Sequence, residues 1–172
     1  GFIRSGVVPL LVDSKLSQES INTICETYTI SYICFPTSRI GKYIENYTIF
    51  NSFNNYSLAK IKIKVKKNLK NLDNDLALLI PTSGSTGNSK LVRISYKNLY
   101  ENTKSISSSL SIGSADRAIT TMPMSYSYGL SIINTHLFNG ASILVTNRSV
   151  IEKEFWSFFH KSKPTTFGGV PF

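Results

Sequence analysis

One run of nine residues concentrates the groups in this chain that could bind a charged ligand: Thr82-Ser83-Gly84-Ser85-Thr86-Gly87-Asn88-Ser89-Lys90. Thr82, Ser83, Ser85 and Thr86 bring hydroxyls, and Lys90 brings a point charge. Gly84 and Gly87 let the backbone turn sharply and carry its N–H groups close to an anion. Hydrogen bonds to a charged group contribute about 1.5–3 kcal/mol each, so a few of them would hold a polyphosphate. The run is not a Walker A loop, because no Gly-Lys-Ser/Thr follows Gly84 at the required interval. On composition alone, a Gly/Ser loop with no ligand fits as well.

Other residues with chemistry to offer are scattered. Tyr126 and Tyr128 precede Gly129 in Met122-Pro-Met-Ser-Tyr-Ser-Tyr-Gly-Leu130. A tyrosine hydroxyl can donate a hydrogen bond but cannot become cationic near neutral pH. Packing beneath the loop and a place in a pocket are both open to Tyr126. His136 falls in an expected helix and His160 near a helix end, and both read as structural. Cys25 and Cys34 are too few for a disulfide framework and lack metal-site spacing. They read as small apolar residues of a reducing, cytoplasmic compartment.

The elements that must carry these groups alternate between strand and helix. Gly6-Val-Val-Pro-Leu-Leu-Val-Asp13 predicts a short buried strand. Ser17 caps a helix with its apolar stripe at Ile21, Ile24, Cys25 and Tyr28. Ile30–Phe35 predicts a strand ended by Pro36, and strand–helix–strand is the unit of a parallel sheet. Residues 36–59 suggest a loop-rich connection. Lys60–Lys66 alternates lysine with Ile61, Ile63 and Val65, the pattern of a half-buried edge strand with a solvated face. Leu76–Ile80 is continuously apolar, as strands covered on both faces are. The Ser/Thr/Gly run follows it directly, and open α/β sheets gather ligands at the carboxyl ends of such strands.

Beyond the loop, Leu91–Ser95 predicts a strand. Ser95 then caps a helix striped by Leu99, Thr103, Ile106 and Leu110 and stopped by Gly113. Arg117–Met122 predicts a strand, Leu130–Phe138 a helix ending at Asn139-Gly140, and Ala141–Thr146 a strand. Ser149 with Glu152 predicts a capping box for a helix bearing Ile151, Phe155, Phe158 and Phe159. Pro164 ends it, and Thr165–Phe167 begins the last strand. The expected class is therefore α/β, a layered, parallel-rich sheet with flanking helices.

Length and charge bound the possibilities. The 172 residues are 41% hydrophobic and 17% charged, enough apolar material to exclude wholesale disorder. No apolar run approaches the ~20 residues of a membrane-spanning helix. The net charge of +9 would suggest nucleic acid or an anionic surface, but six of its lysines are Lys60, Lys62, Lys64, Lys66, Lys67 and Lys70. The aromatic interleaving of a base-stacking platform is missing from that run, so no nucleic-acid partner is expected. A basic adaptor that binds anions through Lys60–Lys70 is the lesser reading. Both ends suggest a slice of a longer protein.

The segment Leu78-Leu-Ile-Pro-Thr-Ser-Gly-Ser-Thr-Gly-Asn-Ser-Lys90 resembles the phosphate-binding signature of the adenylate-forming superfamily, which includes acyl-CoA synthetases, nonribosomal peptide adenylation domains and luciferases. Gly6–Asp13, Met122–Leu130 with Asn139-Gly-Ala141, and Lys163-Pro-Thr-Thr-Phe-Gly-Gly-Val-Pro171 resemble further family segments in the same order. Ser89 and Leu91 stand where the family usually has Pro and Gly. The resemblance implies that residues 1–172 are part of the N-terminal AMP-binding domain. It implies an ATP- and Mg²⁺-dependent ligase that converts a small carboxylic acid to acyl-AMP. A thiol, from coenzyme A or the phosphopantetheine of an acyl or peptidyl carrier protein, then takes the acyl group. Thr82, Ser83, Gly84, Ser85, Thr86, Gly87 and Lys90 would cradle the β- and γ-phosphates. Tyr126, Tyr128 and Gly129 would line the acyl pocket, and the tyrosines would narrow it to a modest acid. The Mg²⁺ carboxylate ligand and the remaining machinery would lie beyond Phe172, leaving the slice inactive alone. A non-catalytic nucleotide- or acyl-binding relative is the alternative.

Overall fold

The computed structural model describes residues 3–39, 47–62, 72–82 and 90–170. The chain divides into two compact units, Asp13–Leu72 and the pair of segments Gly1–Val12 and Asp73–Phe172.

In the unit Asp13–Leu72, Ser17 starts helix α1 (Gln18–Thr27) by accepting the Ser20 N–H at 3.2 Å. Three strands follow: β1 (Tyr32–Pro36), β2 (Tyr47–Phe53) and β3 (Tyr56–Ile61), in the order β1-β3-β2 and antiparallel throughout. Ile21 and Cys25 of α1 share one core with Phe35, Tyr47, Ala59 and Ile61. The β2–β3 hairpin occupies a stretch expected to be loop. Its turn is Asn54-Asn55, with Asn54 at φ +52, a left-handed conformation that asparagine tolerates. Only Tyr47 of β2 is buried, so the strand shows no alternating burial to read and is held by its ladder to β3. β3 is also the central strand, not the edge, and it ends at Ile61. A solvated lysine face looks the same in either position. Lys60 and Lys62 are exposed, while Lys64, Lys66, Lys67 and Lys70 lie outside the described residues.

The other unit holds β4 (Leu76–Pro81), nearly all buried, antiparallel to β5 (Leu91–Ser95). The Gly6–Asp13 segment contributes only a single parallel bridge, Leu10 to Leu79, in place of the expected strand. Its backbone exchanges Leu11 N–H and Pro9 C=O with Leu79, and Pro9 has no N–H with which to extend the ladder. It does not share a sheet with β1, so the expected parallel strand–helix–strand unit is absent.

Helix α2 (Tyr96–Ser109) starts in a reciprocal cap: Ser95 Oγ accepts the Asn98 N–H, and Asn98 Oδ1 accepts the Ser95 N–H. It stops ahead of Gly113, where Ser111 takes φ +53 and the Ile112 N–H returns to the Ser107 carbonyl. Strands β6 (Arg117–Ile119), β7 (Ser142–Leu144) and β8 (Thr166–Phe167) form a parallel sheet in the order β7-β6-β8. Helix α3 (Ser127–Phe138) joins β6 to β7, and α4 (Lys153–Ser162) joins β7 to β8. Ser149 and Glu152 do not cap α4. The Ser149 N–H donates to Glu152 Oε1 at 2.9 Å, closing a turn before the helix, and Glu152 itself is the N-cap. The α/β class holds; among the described residues, parallel pairing occurs in the β7-β6-β8 sheet and at the Leu10 bridge. Phe155 of α4, Ala118 and Ile119 of β6, and Leu78 of β4 are fully buried.

Candidate functional site

The nine-residue run is the connection of a β-hairpin. Pro81 pairs with Leu91, and one residue further out the Thr82 N–H donates to the Lys90 carbonyl at 2.9 Å. Thr82 and Lys90 therefore face each other at the base of the loop. Both are exposed, and among the described residues no carboxylate pairs with Lys90. Ser83, Gly84, Ser85, Thr86 and Gly87 lie outside the described residues. A cation at the mouth of a hydroxyl-rich loop, free of an internal counter-ion, suits a polyanion. The donors present are hydroxyl, N–H and ammonium, which fit phosphate oxygens. They do not form a metal cage. Among the described residues no group of three or more His, Cys, Asp and Glu gathers.

The second group of candidates surrounds the N-terminus of α3. Tyr126 is its N-cap residue, half exposed, with its backbone N–H on the Pro123 carbonyl at 3.1 Å. Gly129 is buried for a steric reason. A Cβ there would lie 2.3 Å from the Pro123 oxygen and 2.7 Å from the Met122 oxygen. It brings α3 against the Met122-Pro123 turn, an approach that leaves no room for a side chain. Tyr128 turns its hydroxyl towards Gly168, 3.3 Å from where a Cβ on that glycine would stand. Ile132 Cδ1 would lie only 2.4 Å from the same point.

The carboxyl ends of the parallel strands are tied by two consecutive threonines that point opposite ways, as alternating strand residues do. Thr120 Oγ1 accepts the Thr146 N–H at 2.9 Å, past the end of β7. Thr121 Oγ1 donates to the Gly168 carbonyl, past the end of β8. Sequence reasoning singles out neither Thr121 nor Ile132, and Gly168 enters only within the Lys163–Pro171 segment. The signal available was the Gly168-Gly169 pair directly after a strand.

His136 is buried within α3, as its structural reading anticipates. Its Nδ1 lies 2.7 Å from the Ile132 carbonyl and its Nε2 lies 3.1 Å from Thr166 Oγ1. Asp116 precedes β6. The Gly113 N–H and then the Thr165 hydroxyl hold its carboxyl below the ordinary carboxylate range. Among the described residues, no hydrogen bond joins the loop base to the α3 turn, although both belong to the same unit.

The family of AMP-binding enzymes matches residues 1–172. Among curated proteins, the oxalate–CoA ligase of Saccharomyces cerevisiae is 29% identical over 97 residues, which are 56% of this chain and 18% of that protein. Among solved structures, the N-terminal domain of FACL13 from Mycobacterium tuberculosis, with an inhibitor bound, shares the fold. Its TM-score is 0.52 at 22% identity, over 56% of this chain and 24% of that one. VinN in complex with L-aspartate matches with a TM-score of 0.50 at 28% identity, again over 56% and 24%. The matched part thus spans about a quarter or less of these relatives.

Proposed function

The chain belongs to the AMP-binding enzyme family, and from that premise we propose that it is part of the N-terminal domain of an ATP-dependent acyl ligase. The ligase joins a small carboxylic acid to AMP and then passes the acyl group to a thiol, of coenzyme A or of a carrier protein's phosphopantetheine. The observation that carries this reading is the closed hairpin base that sets Lys90 opposite Thr82, with no internal carboxylate to neutralise it among the described residues.

The chemistry asks little of these residues beyond placement. A carboxylate is ionised at neutral pH, so its attack on the α-phosphorus needs no general base. It needs an in-line approach and neutralisation of the charge that develops on departing pyrophosphate. Lys90 and the hydroxyls of Thr82, Ser83, Ser85 and Thr86 supply that neutralisation at the β- and γ-phosphates. Mg²⁺, when bound with the nucleotide, adds further neutralisation of the phosphate oxygens. Tyr126 and Tyr128 line the acid side, and Gly129 sets their height by seating α3 on the Met122-Pro123 turn. A short acid suits a wall made of two tyrosines. The names of an oxalate–CoA ligase and of an L-aspartate complex among the relatives support the same size class.

The test is ATP-dependent hydroxamate formation by the intact protein across a panel of short mono- and dicarboxylic acids. One or more acids respond. Lys90→Ala lowers kcat/KM for ATP by about 10- to 100-fold, the worth of one hydrogen bond to a charged group. The 172-residue chain alone exchanges pyrophosphate no faster than its Lys90→Ala form. A folded protein that binds ATP but activates no acid would instead be a non-catalytic nucleotide-binding relative.

A further inference from the structure

The geometry points to His136 as a positioning residue that fixes the gap between α3 and Gly168, and with it the acid-side wall; this rests on the acyl-ligase reading above. Burial of an imidazole is costly unless both ring nitrogens find partners. At His136 both do. The Ile132 carbonyl can only accept, so Nδ1 carries a proton towards it at 2.7 Å. In the neutral ring Nε2 then accepts, and the Thr166 hydroxyl donates to it across 3.1 Å.

Those two partners bracket the wall. Ile132, whose carbonyl holds one side of the ring, also packs its own side chain into the space beside Gly168. Thr166, which holds the other side, starts β8, and Gly168 follows directly after that strand's end. Tyr128, one turn before Ile132 on α3, sets its hydroxyl over Gly168. His136 therefore ties the helix that carries Tyr128 to the strand that delivers Gly168. Thr121 pins the Gly168 carbonyl from β6. Without the His136 link, β8 keeps its β6 ladder but loses its side-chain tie to α3. Because the contact at Gly168 has no slack, a shift of a few tenths of an ångström there changes the room left for an acid.

The experiment uses the intact protein and four variants. Thr166→Val and His136→Asn remove the inter-element bond; the shorter amide side chain of the latter retains a donor for the Ile132 carbonyl. Thr166→Ser and His136→Gln keep a donor and an acceptor, respectively. The expected result is a rise in KM for the acid of about fivefold to tenfold in the first pair, the worth of one neutral hydrogen bond. KM for ATP and kcat stay within about twofold, and the second pair stays near wild type. The double variant His136→Asn/Thr166→Val is no worse than either single. An unchanged acid KM in a folded Thr166→Val protein overturns the inference. So does a parallel loss of kcat, acid affinity and ATP affinity. If the wild type activates no acid, the acyl-ligase reading fails on its own. The link is then read from the Gly168 amide resonance, which must move in Thr166→Val and return in Thr166→Ser; a resonance that stays put overturns it.

Discussion

Gly129 shows how a steric requirement and a place beside a proposed pocket can fall on one residue. It stands in the tyrosine-rich segment that resembles an acyl pocket, yet its hydrogen atoms face two backbone oxygens at distances no methyl could take. Alanine is the better helix former by up to about 1 kcal/mol, so in open space Gly129→Ala would stabilise α3. Here the methyl would drive the helix off the Met122-Pro123 turn. Overpacking of that kind costs about 1–3 kcal/mol, which reverses the sign. The expected outcome is a lower Tm for Gly129→Ala in thermal unfolding, with no gain in helicity by circular dichroism. Lys90 is read in another way. Its type and spacing alone singled it out, and the strand pairing sets its backbone across from Thr82. The approach of Tyr128 to Gly168 could not be read in advance, because the two residues are forty positions apart and are brought together by tertiary pairing.

At the scale of elements, the helices were the more legible. Ser17 and Ser95 cap where their hydroxyls predict, and Ile21, Ile24 and Cys25, like Leu99, Thr103 and Ile106, face inward. Tyr28 and Leu110, the last residue of each expected stripe, are exposed because they fall at the helix C-caps. Strand directions were not legible, since alternation tells which face is buried and says nothing of the neighbour's sense. The three parallel strands are only two or three residues long, too short for a period to show. Side-chain bonds compensate. Asp116 accepts the Gly113 N–H at 2.8 Å and the Thr165 hydroxyl at 2.7 Å, joining the turn before β6 to the entry of β8. Its carboxyl titrates lower in the folded chain than in the unfolded one, chiefly because of the Gly113 bond. That stabilisation is full above the ordinary carboxylate range, near pH 4, and is lost as pH falls through the depressed value. Asp116→Asn, with one acceptor where two are used, is therefore less stable than wild type at pH 7. The difference narrows towards zero in acid, as measured by urea unfolding at pH 7, 5 and 3. A constant difference would contradict the assignment.

At the scale of the whole molecule, two units emerge where length alone suggests one domain. The unit Asp13–Leu72 carries both cysteines, which makes its core separately observable. Cys25 is buried against Phe35 and Tyr47, while Cys34 on β1 is exposed; desolvation pushes both thiols up, so access rather than acidity separates them. A thiol reagent at pH 8 labels one site quickly, Cys34, and reaches Cys25 only after denaturant is added; mass spectrometry of the labelled peptides checks this. Two fast sites would mean that α1 does not rest on the sheet. The other unit is discontinuous, since Gly1–Val12 belongs with Asp73–Phe172. The Leu10–Leu79 bridge thus closes across a stretch that contains an entire compact unit. In chain order, residues 13–72 all precede Leu79. A compact intervening unit shortens the effective loop that the bridge closes, which offsets part of the chain-entropy cost of so distant a contact.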